Sequence, residues 1–399
     1  MNPFEIYQPT RILFGDTQLA TFTKRCTEFG NRALVVIGGG TVKRLGYLKS
    51  VLDSLHENKI ETLVFEGIEA NPDAETINKA AKAGQDFKAD FVLAFGGGSV
   101  MDASKAIGGL IYMNEADIWP FTNSEPRSGK MTGSLPIVTI PTTAATASEI
   151  TAYAVISNRK IKGKQTLGYE FMKPKLSWLN PAFTATLSLE TTRDGASDIM
   201  SHVFENYILG TDESPIADRY TEMILQTVME TLPKLEMNLL NEDLRGDLLW
   251  ASDLALNGYQ LAGRNMAAFV LHNMEHALSG YQPNLAHGRG LAVLYPAYYK
   301  WMIKNNRAVN RFAQLGRRLF GATGNDKSAA NLFVDEFSEW LKANGLYQSL
   351  SSLDIPVSAF DSIAEYCIRV YGRGKGIEAM GIISKEDIVD MFKMTEEQV

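Results

Sequence analysis

Two stretches of the chain repeat one design. "VVIGGGTVK" (35–43) and "LAFGGGSVMDASK" (93–105) each run from a continuous apolar strand, through three glycines and a hydroxyl residue, into a helical pattern. A strand that is apolar at every position is buried on both faces, and a helix has to return the chain before the next parallel strand. The alternation continues with "ETLVFEGI" (61–68), a helical stretch over 69–87, and "LPIVTIP" (135–141). The first half is therefore expected to be an α/β domain with a Rossmann-like parallel sheet and its ligand crevice at the carboxyl ends of the strands.

The glycines permit positive φ and close approach of a ligand to the backbone. Thr41 and Ser99 are expected to cap the helices that follow, and helix N-termini attract phosphate. Gly96, Gly97, Gly98 and Ser99 make the better pyrophosphate site of the two. A single such turn is also an ordinary strand–helix connection, and neither matches a G-x-G-x-x-G fingerprint or a P-loop. Two of them in one domain, followed by "IPTTAATASEI" (140–150), favour a nucleotide. There Thr142, Thr143, Thr146 and Ser148 offer hydroxyls at the sheet edge. The first turn, Gly38–Gly40, holds no carboxylate for a ribose 2′-hydroxyl, and Lys43 is close by. A 2′-phosphate is thus expected, with NADP(H) preferred over NAD(H).

From about residue 184 the apolar positions recur at helical spacing and β-branched runs become scarce. Asn180-Pro181 is the expected boundary, dividing the chain into an α/β domain over 1–183 and an all-helical domain over 184–399. The net charge of −7 argues against a nucleic-acid surface. No apolar run of about 18 residues is present, and the N-terminus has no signal-peptide pattern, so a cytoplasmic protein without a membrane span is expected. Cys26 and Cys367 sit in no metal or redox spacing and read as free thiols.

Four of the five histidines fall between positions 202 and 287. Asp198 and His202 lie four apart in "ASDIMSHVFENY", and His272 and His276 repeat that spacing in "HNMEH", so each pair shares a helix face. His287 follows after a loop. Asp198, His202, His272 and His287 can form a set of one carboxylate and three imidazoles, suited to Fe²⁺ or Zn²⁺. Taken singly, each could be a hydrogen-bonded buried polar residue. "HNMEH" also spells the H-x-x-E-H of a class of zinc peptidases, with Glu275 as base, but that reading leaves Asp198, His202 and both glycine turns unexplained.

At this point the chain resembles the iron-containing (group III) alcohol dehydrogenases over nearly its full length, most closely their NADPH-preferring butanol dehydrogenase and aldehyde reductase branch. The matching stretches are "PTRILFG", "IGGGTVKRLG", "GIEANPDAET", "FGGGSVMDASKAI", "DIMSHVFENYI", "HNMEHALSG" and "AHGRGLAVLYPAYYKW". The resemblance implies a dehydroquinate-synthase-like architecture, a homodimer, and hydride transfer between NAD(P)(H) and a small primary alcohol or aldehyde. It implies that the same four residues hold a metal that polarises the substrate oxygen, and that His276 lies near nicotinamide and substrate, where it could relay the alcohol proton. It implies cofactor contacts at Gly39, Gly40, Thr41, Gly97, Gly98, Ser99, Thr142, Thr143, Thr146 and Lys164. A metal-dependent lyase on the same scaffold is the alternative. Three departures stand out: Ala145 replaces a common glycine, Thr151 replaces a small polar or amide residue, and "LNP" replaces "LDP".

Overall fold

The computed structural model describes residues 1–210, 214–265 and 268–398. The chain divides into two compact units. An α/β unit comprises Gln8–Leu187 and Leu240–Leu249; a helical unit comprises Met1–Tyr7, Ser188–Leu239 and Trp250–Val399.

The strands of the α/β unit are β1 (Arg11–Phe14), β2 (Arg32–Ile37), β3 (Glu61–Glu66), β4 (Phe91–Gly96), β5 (Ile137–Pro141), β6 (Tyr153–Asn158), β7 (Gly163–Gly168) and β8 (Leu176–Leu179). Six of them form one sheet in the order β1-β8-β5-β4-β2-β3, parallel throughout. The helices are α1 (Leu19–Cys26), α2 (Thr41–Arg44), α3 (Tyr47–Glu57), α4 (Ala74–Phe87) and α5 (Gly98–Met113). Successive residues of a strand point to opposite faces, and both faces are covered. Leu34, Val36, Val92 and Ala94 pack with Ile77 and Ala81 of α4 and Ala103 and Ile107 of α5. Ala33, Val35, Ile37, Leu93 and Phe95 pack with Phe22 of α1 and Val51 and Leu55 of α3. This is why the residues from Ala33 to Ile37 and from Phe91 to Phe95 are all apolar.

β1, β8 and the antiparallel hairpin β6–β7 were not among the expected strands. β1 is a four-residue edge strand whose ends are exposed, and β8 also has only four residues, so neither carries a long apolar run.

Strand order reverses beside β2. The chain passes from β2 to β3 on one side, then crosses back to β4 on the other and continues to β5. Ile37 is in register with Phe95, and Gly96 with Pro141. Gly38–Gly40, Gly96–Gly98 and Thr142–Thr146 therefore leave the carboxyl ends of three neighbouring strands at the reversal, the usual place for a ligand in an open α/β sheet.

The helical unit contains α6 (Leu189–Leu209), α7 (Pro215–Met237), α9 (Val270–Tyr281), α10 (His287–Lys304), α11 (Val309–Phe320), α12 (Asp326–Ala343), α13 (Phe360–Tyr371) and α14 (Lys385–Glu396), while α8 (Glu242–Leu256) divides at Leu249. Among its described residues the strands are the two-residue β9 (Ile377–Glu378) and β10 (Ile382–Ile383). Ser188 starts α6 by accepting a hydrogen bond from Thr191 N. The rest of α6 is buried almost all round, as expected for a central helix. Its Phe204 ring lies 5.1–5.9 Å from the rings of Tyr295, Tyr299, Phe333 and Phe337, which anchors α6 against α10 and α12. No helix among the described residues is long and apolar enough to cross a membrane.

Candidate metal centre and dinucleotide loops

Asp198 and His202 are one helical turn apart on α6, His272 and His276 one turn apart on α9, and His287 is the first residue of α10. Asp198 is the point on which they meet. Its Oδ1 is 3.4 Å from His202 Nε2, 3.7 Å from His272 Nε2 and 3.5 Å from His287 Nε2. Asp198 Oδ1 and His272 Nε2 are buried and have no hydrogen-bond partner among the described residues. These separations are long for hydrogen bonds. They match donors that share an ion: two atoms each about 2.1 Å from one tetrahedral metal lie about 3.4 Å apart. One carboxylate and three imidazoles are also the right chemistry for Fe²⁺ or Zn²⁺. The residues present thus fit a divalent ion.

The backs of two rings are held by carboxylates. His272 Nδ1 is 2.5 Å from Glu205 Oε1. The same carboxylate accepts from Leu271 N (2.8 Å) and His272 N (3.2 Å), and so also satisfies the amino end of α9. His287 Nδ1 is bonded to Glu275, which is fully buried. Such partners fix the tautomer and turn Nε2 toward the ion. The ligand atoms fall into two groups, each within 4.8 Å of one another, Asp198 with His202 and His272, and Glu275 with His276 and His287; His287 connects them, with Nε2 toward Asp198 and Nδ1 on Glu275. Glu275 therefore has a definite job that "HNMEH" did not reveal. The peptidase reading fails on the same fact, because that carboxylate is bonded and sealed from water.

Glu205 was not anticipated. It follows His202 by three residues, and Asp198, His202 and Glu205 at i, i+4 and i+7 share one face of α6; that spacing was the available signal. Tyr371 of α13 was also missed. Its hydroxyl lies 3.3 Å from His276 Nδ1, and the His276 ring stacks on His287 with centroids 5.4 Å apart. No sequence pattern ties position 371 to 276.

Close approach of α10 to α6 depends on Gly288. A Cβ there would collide with the backbone carbonyl of Asp194, and His287 beside it would be displaced.

Burial disfavours charge throughout the centre, yet the surrounding imidazoles hold the Asp198 carboxyl well below the usual range. Burial pushes His202 down to about 3, against the pull of Asp198. His272 moves oppositely: burial opposes its charge, but Glu205 and Asp198 raise it to about 9.

In the α/β unit, Gly97 is the residue before α5 and Gly40 the residue before α2, with no side-chain cap at either. The expected capping by Ser99 and Thr41 does not occur. Both lie inside the first turn of their helices, and the Ser99 hydroxyl instead accepts from Asn71 N at 3.2 Å. Val100 N and Met101 N turn back to Gly97 O at 3.0 and 3.2 Å, and the first turn of α5 has no side-chain cap, the arrangement that suits an anion at a helix start. A Cβ on Gly98 would lie 2.5 Å from Thr146 Cγ2, and one on Gly97 3.1 Å from Thr143, so the second turn lies directly against the loop after β5. Over Gly39 a Cβ would meet nothing within 4 Å. Thr142, Thr143 and Thr146 are partly exposed along this edge.

Beneath the loop runs a buried polar network. Lys105 Nζ donates to Tyr153 O (2.6 Å), Ser148 Oγ (2.8 Å) and Thr151 Oγ1 (3.4 Å). Ser148 Oγ donates to Asp102 Oδ1 (2.5 Å), whose other oxygen accepts from Val155 N (2.8 Å). Burial lowers Lys105 to about 8 despite Asp102 and Glu149. The network ties α5 to the loop that carries Thr142–Thr146. Lys164, on β7, is only 3% exposed, and its charge acts on Asp102. Cys26 and Cys367 are buried free thiols.

The family model for iron-containing alcohol dehydrogenases matches residues 9–181, and the model for the C-terminal part of the Fe-containing alcohol dehydrogenase family matches residues 192–395. The chain belongs to the iron-containing alcohol dehydrogenase family. It is 32% identical to NADH-dependent butanol dehydrogenase A of Clostridium acetobutylicum, covering 98% of this chain and 99% of that one. It is 32% identical to the NADPH-dependent aldehyde reductase YqhD of Escherichia coli, covering 91% and 92%. Its structure is similar to that of NADH-dependent butanol dehydrogenase A from Thermotoga maritima, with a TM-score of 0.93, 29% identity and 99% of each chain covered. These relatives support the dehydrogenase reading over the lyase and peptidase alternatives.

Because Glu205 and Asp198 favour the protonated form of His272, an ion binding near neutral pH must displace its proton. Metal affinity is expected to rise about ten-fold per pH unit between about pH 6 and 8. Competition against a chelator over that range checks the slope, and a flat affinity contradicts it.

Proposed function

We propose that the chain interconverts a small primary alcohol and its aldehyde with a nicotinamide dinucleotide, NADP(H) in preference to NAD(H), using one divalent ion, Fe²⁺ or Zn²⁺. Asp198, His202, His272 and His287 hold the ion. The observation that carries this is the convergence of three imidazole Nε2 atoms on the otherwise unpaired Asp198 Oδ1, in a chain of a dehydrogenase family. When bound, the ion supplies a Lewis acid for the substrate oxygen, and the nicotinamide supplies the hydride acceptor or donor.

The remaining work belongs to the protein. Gly97, Gly98 and Ser99 receive the pyrophosphate at the start of α5. Gly39, Gly40 and Thr41 take the adenosine end, where the open face over Gly39 admits close approach. Thr142, Thr143, Thr146 and Lys164 complete the cofactor contacts, and the Lys105 network keeps the loop against the second turn. Glu205 and Glu275 hold the ring protons at Nδ1, which leaves the Nε2 lone pairs of His272 and His287 for the ion. His276 carries the alcohol proton: its Nδ1 faces the Tyr371 hydroxyl, and we assign Nε2 the exchange with substrate. Aldehyde reduction consumes a proton and is favoured at lower pH. The resemblance also supports a homodimer.

Nicotinamide absorbance with a short-chain aldehyde and NADPH tests the reading. Turnover is expected, lost on removing the metal with a chelator and restored by Fe²⁺ or Zn²⁺. Turnover that survives full metal removal would refute the assignment. For His276, substitution by Asn is expected to lower turnover by about 10²-fold or more and to flatten its pH dependence with the metal retained. An unchanged pH–rate profile would leave His276 only a packing role.

A further inference from the structure

The first glycine turn contains no acidic residue, but the neighbouring strand supplies one. Glu66 ends β3 directly opposite Ile37, the last residue of β2. Its Oε1 is 2.9 Å from where a Cβ on Gly40 would stand. Its Oε2 is 2.9 Å from Lys43 Nζ on α2. The side chains are 64% exposed for Lys43 and 42% for Glu66, so solvent screens the pair and either partner can be exchanged at small cost. Arg44, the next cation, turns back to the Thr41 hydroxyl at 3.3 Å. The turn thus presents one carboxylate and one ammonium, each holding the other beside open backbone.

Ribose hydroxyls and a 2′-phosphate ask opposite things of such a pair. A free 2′-hydroxyl donates well to a carboxylate, whereas a phosphate is repelled by it and takes up an ammonium. We propose that Glu66 and Lys43 are the coenzyme-discriminating pair, with Glu66 accepting the ribose hydroxyls of NAD(H) and also restraining Lys43, which is released to the 2′-phosphate of NADP(H). Lys43 alone would give a strict NADP(H) site; Glu66 moderates it and lets both coenzymes in. This rests on the reading that Gly39–Thr41 take the adenosine end.

Titration calorimetry with NADP⁺ and NAD⁺ on the full-length protein tests the pair independently of turnover. Relative to wild type, Glu66→Gln is expected to shift the affinity ratio about ten-fold toward NADP⁺, and Lys43→Met about ten-fold toward NAD⁺. Because both side chains are exposed, folding is retained, and an unchanged melting temperature confirms it. If both variants bind the dinucleotides with the wild-type ratio, the pair does not discriminate and the proposal fails, while the assignment of the turn stands. A wild-type protein that binds neither dinucleotide overturns the assignment of the turn and this proposal together.

Discussion

A buried carboxylate without a hydrogen-bond donor cannot stand alone. Leaving a charge such as Asp198 uncompensated in the interior costs several kcal/mol, and its Oδ1 has no donor among the described residues. What surrounds it instead is three imidazole nitrogens from three helices at 3.4–3.7 Å. A divalent ion held there would give that oxygen a partner, as proposed above, and the helical unit keeps the four side chains together. Phe204 anchors α6 in an aromatic cluster, Glu205 joins α6 to the start of α9, Glu275 joins α9 to His287, and Gly288 lets α10 close on α6. Each of these residues supports the cluster from outside the four side chains.

The α/β unit meets a different constraint, imposed by topology. Reversal of strand order beside β2 leaves a crevice at the carboxyl ends of β2, β4 and β5, and the glycines fall at those ends. At Gly97 and Gly98 a side chain would strike the threonines of the next loop, so the absence of Cβ there is a packing requirement as much as an opening for a ligand. The Lys105–Ser148–Asp102 network shows how that packing is maintained. A buried ammonium with three acceptors couples α5 to the loop after β5.

Much of this was legible in the sequence because it is local. Strands with continuous apolar runs, such as "ALVVI" and "FVLAF", announce a sheet covered on both faces, and i, i+4 spacing places Asp198 with His202 and His272 with His276. The misses share a cause as well. Glu66 lies on a different strand from the turn it faces, and Tyr371 is 95 positions from His276. Such contacts depend on register and helix packing, which periodicity does not encode. Thr41 and Ser99 looked like caps because hydroxyls precede each helical pattern, but α2 already begins at Thr41 and α5 at Gly98, which leaves Gly40 and Gly97 in the cap positions. "HNMEH" misled in the same way: its glutamate sits beside His276 and three residues after His272 in sequence, yet in space it holds His287.

The central claim is that Asp198 gathers three imidazoles around one divalent ion. Elemental analysis of the purified protein and of Asp198→Asn, which keeps the side-chain shape and removes the charge, tests it most directly. A single divalent ion per chain in the wild type and essentially none in the variant is the predicted result. A variant that folds and retains its full equivalent of metal would contradict it.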